Sequence, residues 1–372
     1  MTTARGVELR IVGLPLVAPF RTSFGEETEK VCVLARVDTD DAHGWGECVA
    51  SPDPGYSEEF NDAAWLVLRD FLVPALLAAG DLTTGDLDRV LAGVRGHPMA
   101  KAALIDAFLD AELRGRGVSL AAHLGAATDR VPCGVSVGIA SSTERLLDQV
   151  AGYLAEGYQR IKLKIEPETD VERVAAVRDA FPDIALSVDA NAAYTLDDVG
   201  VFRALDAFDL LMIEQPLHHD DLLEHAKLQA EIATPICLDE SIRSAADAAA
   251  AIELGACRIV NIKQGRVGGI PQAVRVHDVC RAVGVPVWCG GMLETGIGRA
   301  TNLALAALPG FTLPGDTSAS ARYFAQDLTE PFVLAPDGTM SVPASPGIGV
   351  DPLPDRLEAC TRRVELLRSG AG

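Results

Sequence analysis

The chain has 372 residues, of which 48% are hydrophobic and 23% charged, and its formal net charge at pH 7 is −21. This length and composition exclude intrinsic disorder for the bulk of the chain and predict two domains or one large barrel. An acidic protein repels phosphate backbones, so no nucleic-acid partner is expected. The longest apolar runs, such as residues 71–77, fall well short of the roughly 20 residues of a membrane span. The first six residues lack a signal-peptide pattern, and we therefore expect a cytoplasmic protein.

Cysteine and histidine spacing gives no sign of a metal or disulfide framework. The eight cysteines are scattered and several lie inside apolar runs, which predicts reduced, buried side chains. Residues 218–221 (His-His-Asp-Asp) form the one notable cluster. A solvated loop before a helix explains this cluster better than a metal site.

The N-terminal part of the chain is predicted to be an α+β domain, covering residues 1–130. Alternating runs at 6–17 and 30–38 indicate strands, and the stretches 57–79 and 98–114 indicate helices.

Residues 131–320 repeat a rhythm of short apolar run, loop and amphipathic helix. The eight apolar runs end with one at 311–313, and segments such as 170–180 and 244–254 are helical in pattern. Apolar strands that alternate with helices are typical of a parallel sheet closed into a barrel. A doubly wound open sheet is the alternative, but no G-x-G-x-x-G turn follows the first strand. The proline-rich tail, residues 321–372, is expected to fold back on the N-terminal domain.

Five charged residues end successive barrel strands at a nearly constant spacing. Lys164, Asp189, Glu214 and Asp239 follow one another at 25 residues, and Lys263 comes 24 later. One βα unit has about this length, so the five side chains should stand at one height, on the face where barrels carry active sites.

This spacing predicts a reaction. Strands two and six lie opposite each other in a ring of eight, so Lys164 and Lys263 should face each other across the barrel mouth. The three carboxylates between them form an all-oxygen site suited to Mg²⁺ (or Mn²⁺). Cation and lysine charges would stabilise the enediolate formed when a carboxylate substrate loses its α-proton. We expect a lowered lysine pKa, because each lysine lies near another cation.

Several motifs resemble the enolase superfamily, in its muconate-lactonising subgroup. They are Lys162-Leu163-Lys164, Asp189-Ala190-Asn191, Glu214-Gln215-Pro216, Asp239-Glu240-Ser241 and Lys263-x-Gly265. Further segments are similar to the N-acylamino acid racemase/o-succinylbenzoate synthase family: 17–24, 45–49, 160–167, 234–241, 261–269, 288–292 and 313–320.

The resemblance implies a fold, a set of roles and a partner. The fold class is α/β: a modified TIM barrel of the (β/α)7β type, whose N-terminal α+β domain caps the barrel mouth with two loops. Asp189, Glu214 and Asp239 would hold Mg²⁺, and Lys164, Lys263 and Lys162 would form the catalytic set. A small-molecule carboxylate (an N-acyl amino acid or a cyclohexadiene carboxylate) and a homo-oligomer, from dimer to octamer, are also implied. Substrate contacts would come from Phe20, Arg21, Thr22, Ser51, Tyr56, Ser136, Asn191, Arg266, Gly291, Met292 and Asp316.

The same residues leave alternative activities open. Two reactions would use the same set of lysines and carboxylates. One is the racemisation of N-succinylamino acids, and the other is the dehydration that o-succinylbenzoate synthase catalyses in menaquinone synthesis. A dipeptide epimerase is a closer alternative than a muconate cycloisomerase, although the segment at 316–318 carries only half of the Asp-x-Asp clamp expected for epimerases. A Schiff-base aldolase using Lys263, or a barrel without turnover, would be alternatives of other classes.

Overall fold

A computed structural model describes residues 1–23 and 25–368 of the chain. Phe24, the last residue of the motif at 17–24, lies outside the described residues. The N-terminal region begins with strands and continues with helices, in the predicted order. Its strands are β1 (Thr2–Thr3), β2 (Gly6–Thr22), β3 (Gly25–Asp38), β4 (His43–Cys48) and β5 (Asp81–Leu82). Its helices are α1 (Asn61–Val67), α2 (Val73–Ala78), α3 (Leu87–Val90), α4 (Pro98–Gly115) and α5 (Leu120–Leu124).

Two glycines allow the longest helix of this region to lie directly on its sheet. A Cβ atom on Gly46 of β4 would lie 2.0 Å from the carbonyl oxygen of Ala103 in α4, and one on Gly44 would lie 2.1 Å from the backbone of Ala111. Any larger residue would push the helix away, so these glycines set the sheet-to-helix distance. The helix predicted at 57–79 starts at Asn61, and a π-helical turn at Leu68–Leu72 separates α1 from α2.

The middle of the chain alternates strands and helices around one parallel sheet. After β6 (Arg130–Pro132), its strands are β7 (Gly134–Val137), β8 (Arg160–Lys164), β9 (Leu186–Asp189), β10 (Ile213–Glu214), β11 (Ile236–Leu238), β12 (Ile259–Ile262) and β13 (Val287–Cys289). The intervening helices are α6 (Thr143–Glu156), α7 (Asp170–Ala180), α8 (Val199–Leu205), α9 (Leu222–Glu231), α10 (Ala245–Leu254), α11 (Gln264–Val267), α12 (Ile270–Ala282) and α13 (Gly296–Ala306). The seven strands β7 to β13 pair in chain order and are buried on both faces, which confirms the predicted α/β barrel-like fold.

The expected eighth strand is replaced by isolated bridges. Phe311 bridges to Val287 at the end of the sheet, and Gly315 bridges to Cys133 next to β7. Between them Pro314 has no N–H to donate, so a regular ladder cannot form there. The backbone N–H of Gly134 still donates to the Gly315 carbonyl at 2.7 Å, and this bond helps close the ring.

The last part of the chain returns to earlier strands. It contains β14 (Thr339–Ser341), α14 (Pro354–Cys360) and β15 (Thr361–Arg368). β14 pairs with β6, and β15 pairs antiparallel with β2 at the edge of the N-terminal sheet. The division of the chain at residues 130 and 320 remains a prediction.

Two further sequence-based expectations concern cysteines and membranes. All eight cysteines are free and buried, as predicted. In the part of the chain that the structure describes, no helix has both the length and the apolar character that a bilayer crossing requires.

Candidate active site

The parallel register places three of the five strand-end residues side by side. Lys164 is the ladder partner of Asp189, and Asp189 is the partner of Glu214. Directly paired residues of neighbouring strands project to the same face of a sheet. The constant spacing therefore corresponds to one register level for these three residues, whereas the next strand pairs Cys237, two residues before Asp239, with Glu214. Strand β8, which ends at Lys164, and strand β12, which ends directly before Lys263, are four positions apart in the sheet order.

The first group of charges contains both lysines of the Lys-Leu-Lys motif. The Lys164 ammonium donates to Asp189 Oδ2 and to Asn191 Oδ1, both at 2.6 Å. The Lys162 ammonium lies 2.8 Å from Glu214 Oε2 and 3.1 Å from Asp189 Oδ2. Lys162 is only 2% exposed. Lys162 is thus enclosed by carboxylates, while Lys164 reaches the mouth of the barrel.

The second group surrounds Asp239 on the opposite side. The Lys263 ammonium donates to Asp239 Oδ2 at 2.7 Å and lies 3.3 Å from the hydroxyl of Tyr56. Arg266 donates to the other oxygen of Asp239 and to the carbonyl of Ile242. Asp239 is fully buried, so its charge is balanced by these two cations rather than by water.

For Lys263 and Lys162, these contacts act against the expected lowering of the lysine pKa. Although burial alone would lower it, the facing carboxylate of Asp239 holds the pKa of Lys263 well above its ordinary value. The pKa of Lys162 is raised in the same way, against burial, by Asp316, Glu214 and Asp189. The prediction considered the neighbouring cations alone, whereas the anions lie closer.

The pKa values of the three carboxylates are shifted in different directions by burial and by the neighbouring charges. Burial and the neighbouring Asp189 raise the pKa of Glu214 to about 8. Asp189 is equally buried, but Lys164 and Lys162 hold its pKa below the usual value. Asp239 also has a lowered pKa, because Arg266 and Lys263 outweigh its burial. Two of the three carboxylates are therefore held as anions.

The donor set suits a divalent cation. Asp189, Glu214 and Asp239 all offer carboxylate oxygens, the ligands that Mg²⁺ prefers. Each is fully or almost fully buried and faces a lysine, and the three are spread more widely than 4.8 Å. The chemistry of the three residues thus fits a divalent cation, and each carboxylate is paired with a lysine.

A second cluster of possible ligands lies on the surface. Among residues 1–23 and 25–368, His218, His219 and Asp220 alone bring three such atoms within 4.8 Å of one another. His218 and Asp220 are exposed, and Asp220 pairs with Arg243 at 3.1 Å. This arrangement fits the solvated loop predicted from the sequence.

Lys164 and Lys263 both line one cavity, which lies between the barrel mouth and the N-terminal domain. Its volume is about 690 Å³, a figure that includes the opening to solvent. The predicted residues that line it are Phe20, Thr22, Ser51, Tyr56, Ser136, Lys162, Lys164, Asn191, Lys263, Gly291, Met292 and Asp316.

Some predicted residues do not reach this cavity. Arg21 turns away from it and pairs with Glu166 of the barrel at 3.1 Å. Arg266 lines a neighbouring cavity behind Tyr56, because it is held by Asp239. The three carboxylates lie behind the lysine ammonium groups and are not part of the lining.

Seven lining residues were not among the predicted site residues: Glu27, Lys30, Val31, Val49, Pro52, Leu293 and Tyr323. None of them carried a usable signal in the sequence, and Lys30 is an example. It is a charged residue at the start of the alternating run 30–38, and such a residue commonly lies on a solvated face. In the structure it is 4% exposed.

Asp316 is committed to other protein groups. Its Oδ1 accepts from Arg160 at 2.5 Å and its Oδ2 lies 2.7 Å from Lys162. The guanidinium of Arg160 and the ammonium of Lys162 lie 4.8 Å and 4.9 Å from the ring centre of Trp288, on which both cations pack. Asp316 thus fixes the position of Lys162 below the cavity.

Comparison with known proteins gives concordant results. Residues 145–356 match the family model described as enolase C-terminal domain-like. The chain is 60% identical to an N-succinylamino acid racemase of Amycolatopsis sp., over 96% of this chain and 97% of that protein. It is 50% identical to an o-succinylbenzoate synthase of Geobacillus stearothermophilus, covering 93% and 92% of the two chains. A solved enolase-superfamily structure from Listeria innocua superimposes with a TM-score of 0.95 at 40% identity, over the whole of both chains.

Proposed function

Because the chain belongs to the enolase C-terminal domain-like family, we propose that it racemises N-succinylamino acids by removing and returning the α-proton. The observation that carries this proposal is the position of Lys164 and Lys263. Lys164 ends β8 and Lys263 directly follows β12, four positions away in the sheet, and both residues line one cavity. An α-carbon held between them would present a different face to each lysine. The similarity to the Amycolatopsis racemase supports the N-succinyl substrate.

The proposed reaction needs one lysine in each protonation state. A neutral amine on one side takes the α-proton and becomes an ammonium, and the ammonium on the other side gives its proton to the opposite face of the same carbon. The product is the mirror-image amino acid, and the two lysines have exchanged states. Lys162, held by three carboxylates, would contribute positive charge beside the developing enediolate.

We propose Mg²⁺ as the cation held by Asp189, Glu214 and Asp239. When bound, it would supply Lewis-acid stabilisation of the substrate carboxylate as negative charge develops there. Phe20, Thr22, Ser51 and the other lining residues would enclose the substrate and exclude water.

Hydrogen exchange in ²H₂O separates the roles of the two lysines. With each N-succinylamino acid enantiomer measured separately by NMR, Lys164→Ala and Lys263→Ala should each abolish racemisation. Each variant should still exchange the α-proton of one enantiomer, and the two should prefer opposite enantiomers. Lys227→Ala, which changes an exposed lysine of α9, is the matched control and should racemise normally. Equal exchange of both enantiomers by either active-site variant would contradict the two-base mechanism.

Dehydration to o-succinylbenzoate is a second candidate activity, favoured by the similarity to the Geobacillus synthase. In this reaction Lys164 would take the proton and then return it to the departing hydroxyl, so that water leaves. Lys263 would act only through its charge. The dehydration rate should therefore fall much further in Lys164→Ala than in Lys263→Ala, and an equal loss in both would argue against this division.

Dipeptide epimerisation is less favoured, because Asp316 is neutralised by Arg160 and Lys162 and cannot readily bind a substrate ammonium group. The homo-oligomer and the cytoplasmic location stay predictions. Light scattering at micromolar concentration tests the first, and a monomer mass would refute it.

A further inference from the structure

The segment 291–295, which follows the last barrel strand, forms one wall of the cavity and contains a strained residue. Gly291, Met292 and Leu293 line the cavity. Leu293 has a backbone φ of 55°, in the left-handed region that a bulky side chain rarely adopts. It is also 9% exposed. A conformation of this kind persists only where the surrounding structure holds it.

Two charged side chains of the N-terminal domain hold this segment on either side of Leu293. On one side, the Lys30 ammonium donates to the carbonyl of Met292 at 2.8 Å. On the other, Glu47 accepts from the hydroxyl of Thr295 at 2.7 Å and from its N–H at 3.2 Å. Glu47 also accepts from the N–H of Gly298 at 3.1 Å, in the first turn of α13.

Both side chains are almost completely removed from water. Lys30 is 4% exposed and Glu47 is 2% exposed. A buried charge is costly unless hydrogen bonds compensate it, so each has a strong tendency to keep its bonds to the segment. The segment is therefore held by the N-terminal sheet rather than by the barrel alone.

We propose that Lys30 and Glu47 are positioning residues that set the substrate side-chain preference of the cavity by fixing Met292 and Leu293. This inference rests on the proposed function for its substrate class. The hold of Lys30 and Glu47 on residues 291–295, here called the clamp, does not. Loss of either bond would let Leu293 relax from its strained backbone. The wall would then change shape, and it would discriminate differently between small and large substrate side chains.

The clamp is tested first without any activity, by hydrogen–deuterium exchange of the intact protein. Lys30→Met and Glu47→Leu should speed the exchange of amides 293–298 by about tenfold or more. Glu47→Gln keeps an acceptor oxygen and should retain protection. Lys101→Met is the matched control, since Lys101 also donates to a backbone carbonyl, that of Val94, away from the cavity. Unchanged protection in Lys30→Met would overturn the clamp, even if Glu47→Leu fails to fold.

Specificity is tested by the ratio of kcat/KM for N-succinylphenylalanine to that for N-succinylalanine. Lys30→Met should change this ratio by about tenfold, which corresponds to the loss of one charge-assisted hydrogen bond. Glu47→Gln and Lys101→Met should keep the wild-type ratio. An equal loss for both substrates would indicate a general structural role and overturn the specificity inference. A wild-type protein inactive on both substrates would instead refute the proposed function, and the exchange result would still decide the clamp.

Discussion

Asp106 offers a direct test of how burial between the N-terminal domain and the barrel shifts the pKa of a carboxyl group. This residue of α4 is 3% exposed and accepts a hydrogen bond from the N–H of Ile270, at the start of α12, at 2.9 Å. Burial, with a smaller contribution from Asp110, raises the pKa of Asp106 from its ordinary 3.8 to about 7. The folded state thus holds the proton more tightly than the unfolded state does.

Because the pKa of Asp106 is higher in the folded state than in the unfolded state, its contribution to stability decreases as the pH rises. The stabilising contribution is complete below pH 3.8 and is lost as the pH rises through about 7. At about 1.36 kcal/mol for each pKa unit, the raised pKa corresponds to a loss of about 4 kcal/mol between pH 4 and pH 8. Asp106→Asn cannot ionise, and its amide oxygen can still accept from Ile270. The free energy of unfolding, variant minus wild type, should therefore rise by about 4 kcal/mol across this range.

The assay is urea-induced unfolding followed by circular dichroism at one-unit pH intervals. Asp197→Asn serves as the control, since it removes an exposed carboxylate from the same chain, and its difference from the wild type should change little with pH. A difference for Asp106→Asn that stays flat, or falls as the pH rises, would show that burial does not raise this pKa.

Three further outcomes are expected. Dialysis against EDTA should abolish activity and Mg²⁺ should restore it, because three buried carboxylates form the donor set; full activity of the metal-free protein would contradict this assignment. Asp316→Ala should lower the free energy of unfolding by about 3–5 kcal/mol, since it leaves two buried cations, Arg160 and Lys162, without their shared partner; a loss below about 1 kcal/mol in urea unfolding would show that the network is not needed. Arg21→Ala should change substrate affinity by less than about threefold, because its partner Glu166 lies outside the cavity and exposed ion pairs are weak; a large rise in KM would place Arg21 in contact with the substrate.

The barrel-like fold and the shared level of Lys164, Asp189 and Glu214 could be predicted from the sequence. Lys164, Asp189 and Glu214 recur at one interval because each βα unit has nearly the same length, and a repeated unit places equivalent residues at equivalent positions. The predicted donor set followed from residue type at these regularly spaced positions, since carboxylates suit hard cations. These features depend on local spacing, which is visible in the chain.

Which charged groups meet depends on tertiary packing that the sequence does not show. The pKa of Lys263 depends on Asp239, which is 24 residues earlier and lies across the strand ends at 2.7 Å. Lys30 could not be assigned to the cavity, because its contact with Met292 joins residues 262 positions apart. The strain at Leu293 is equally invisible in the sequence, since no local pattern of residues requires it. Electrostatic partners and backbone strain arise from long-range packing, and the amino-acid order does not state which distant groups will share a buried site.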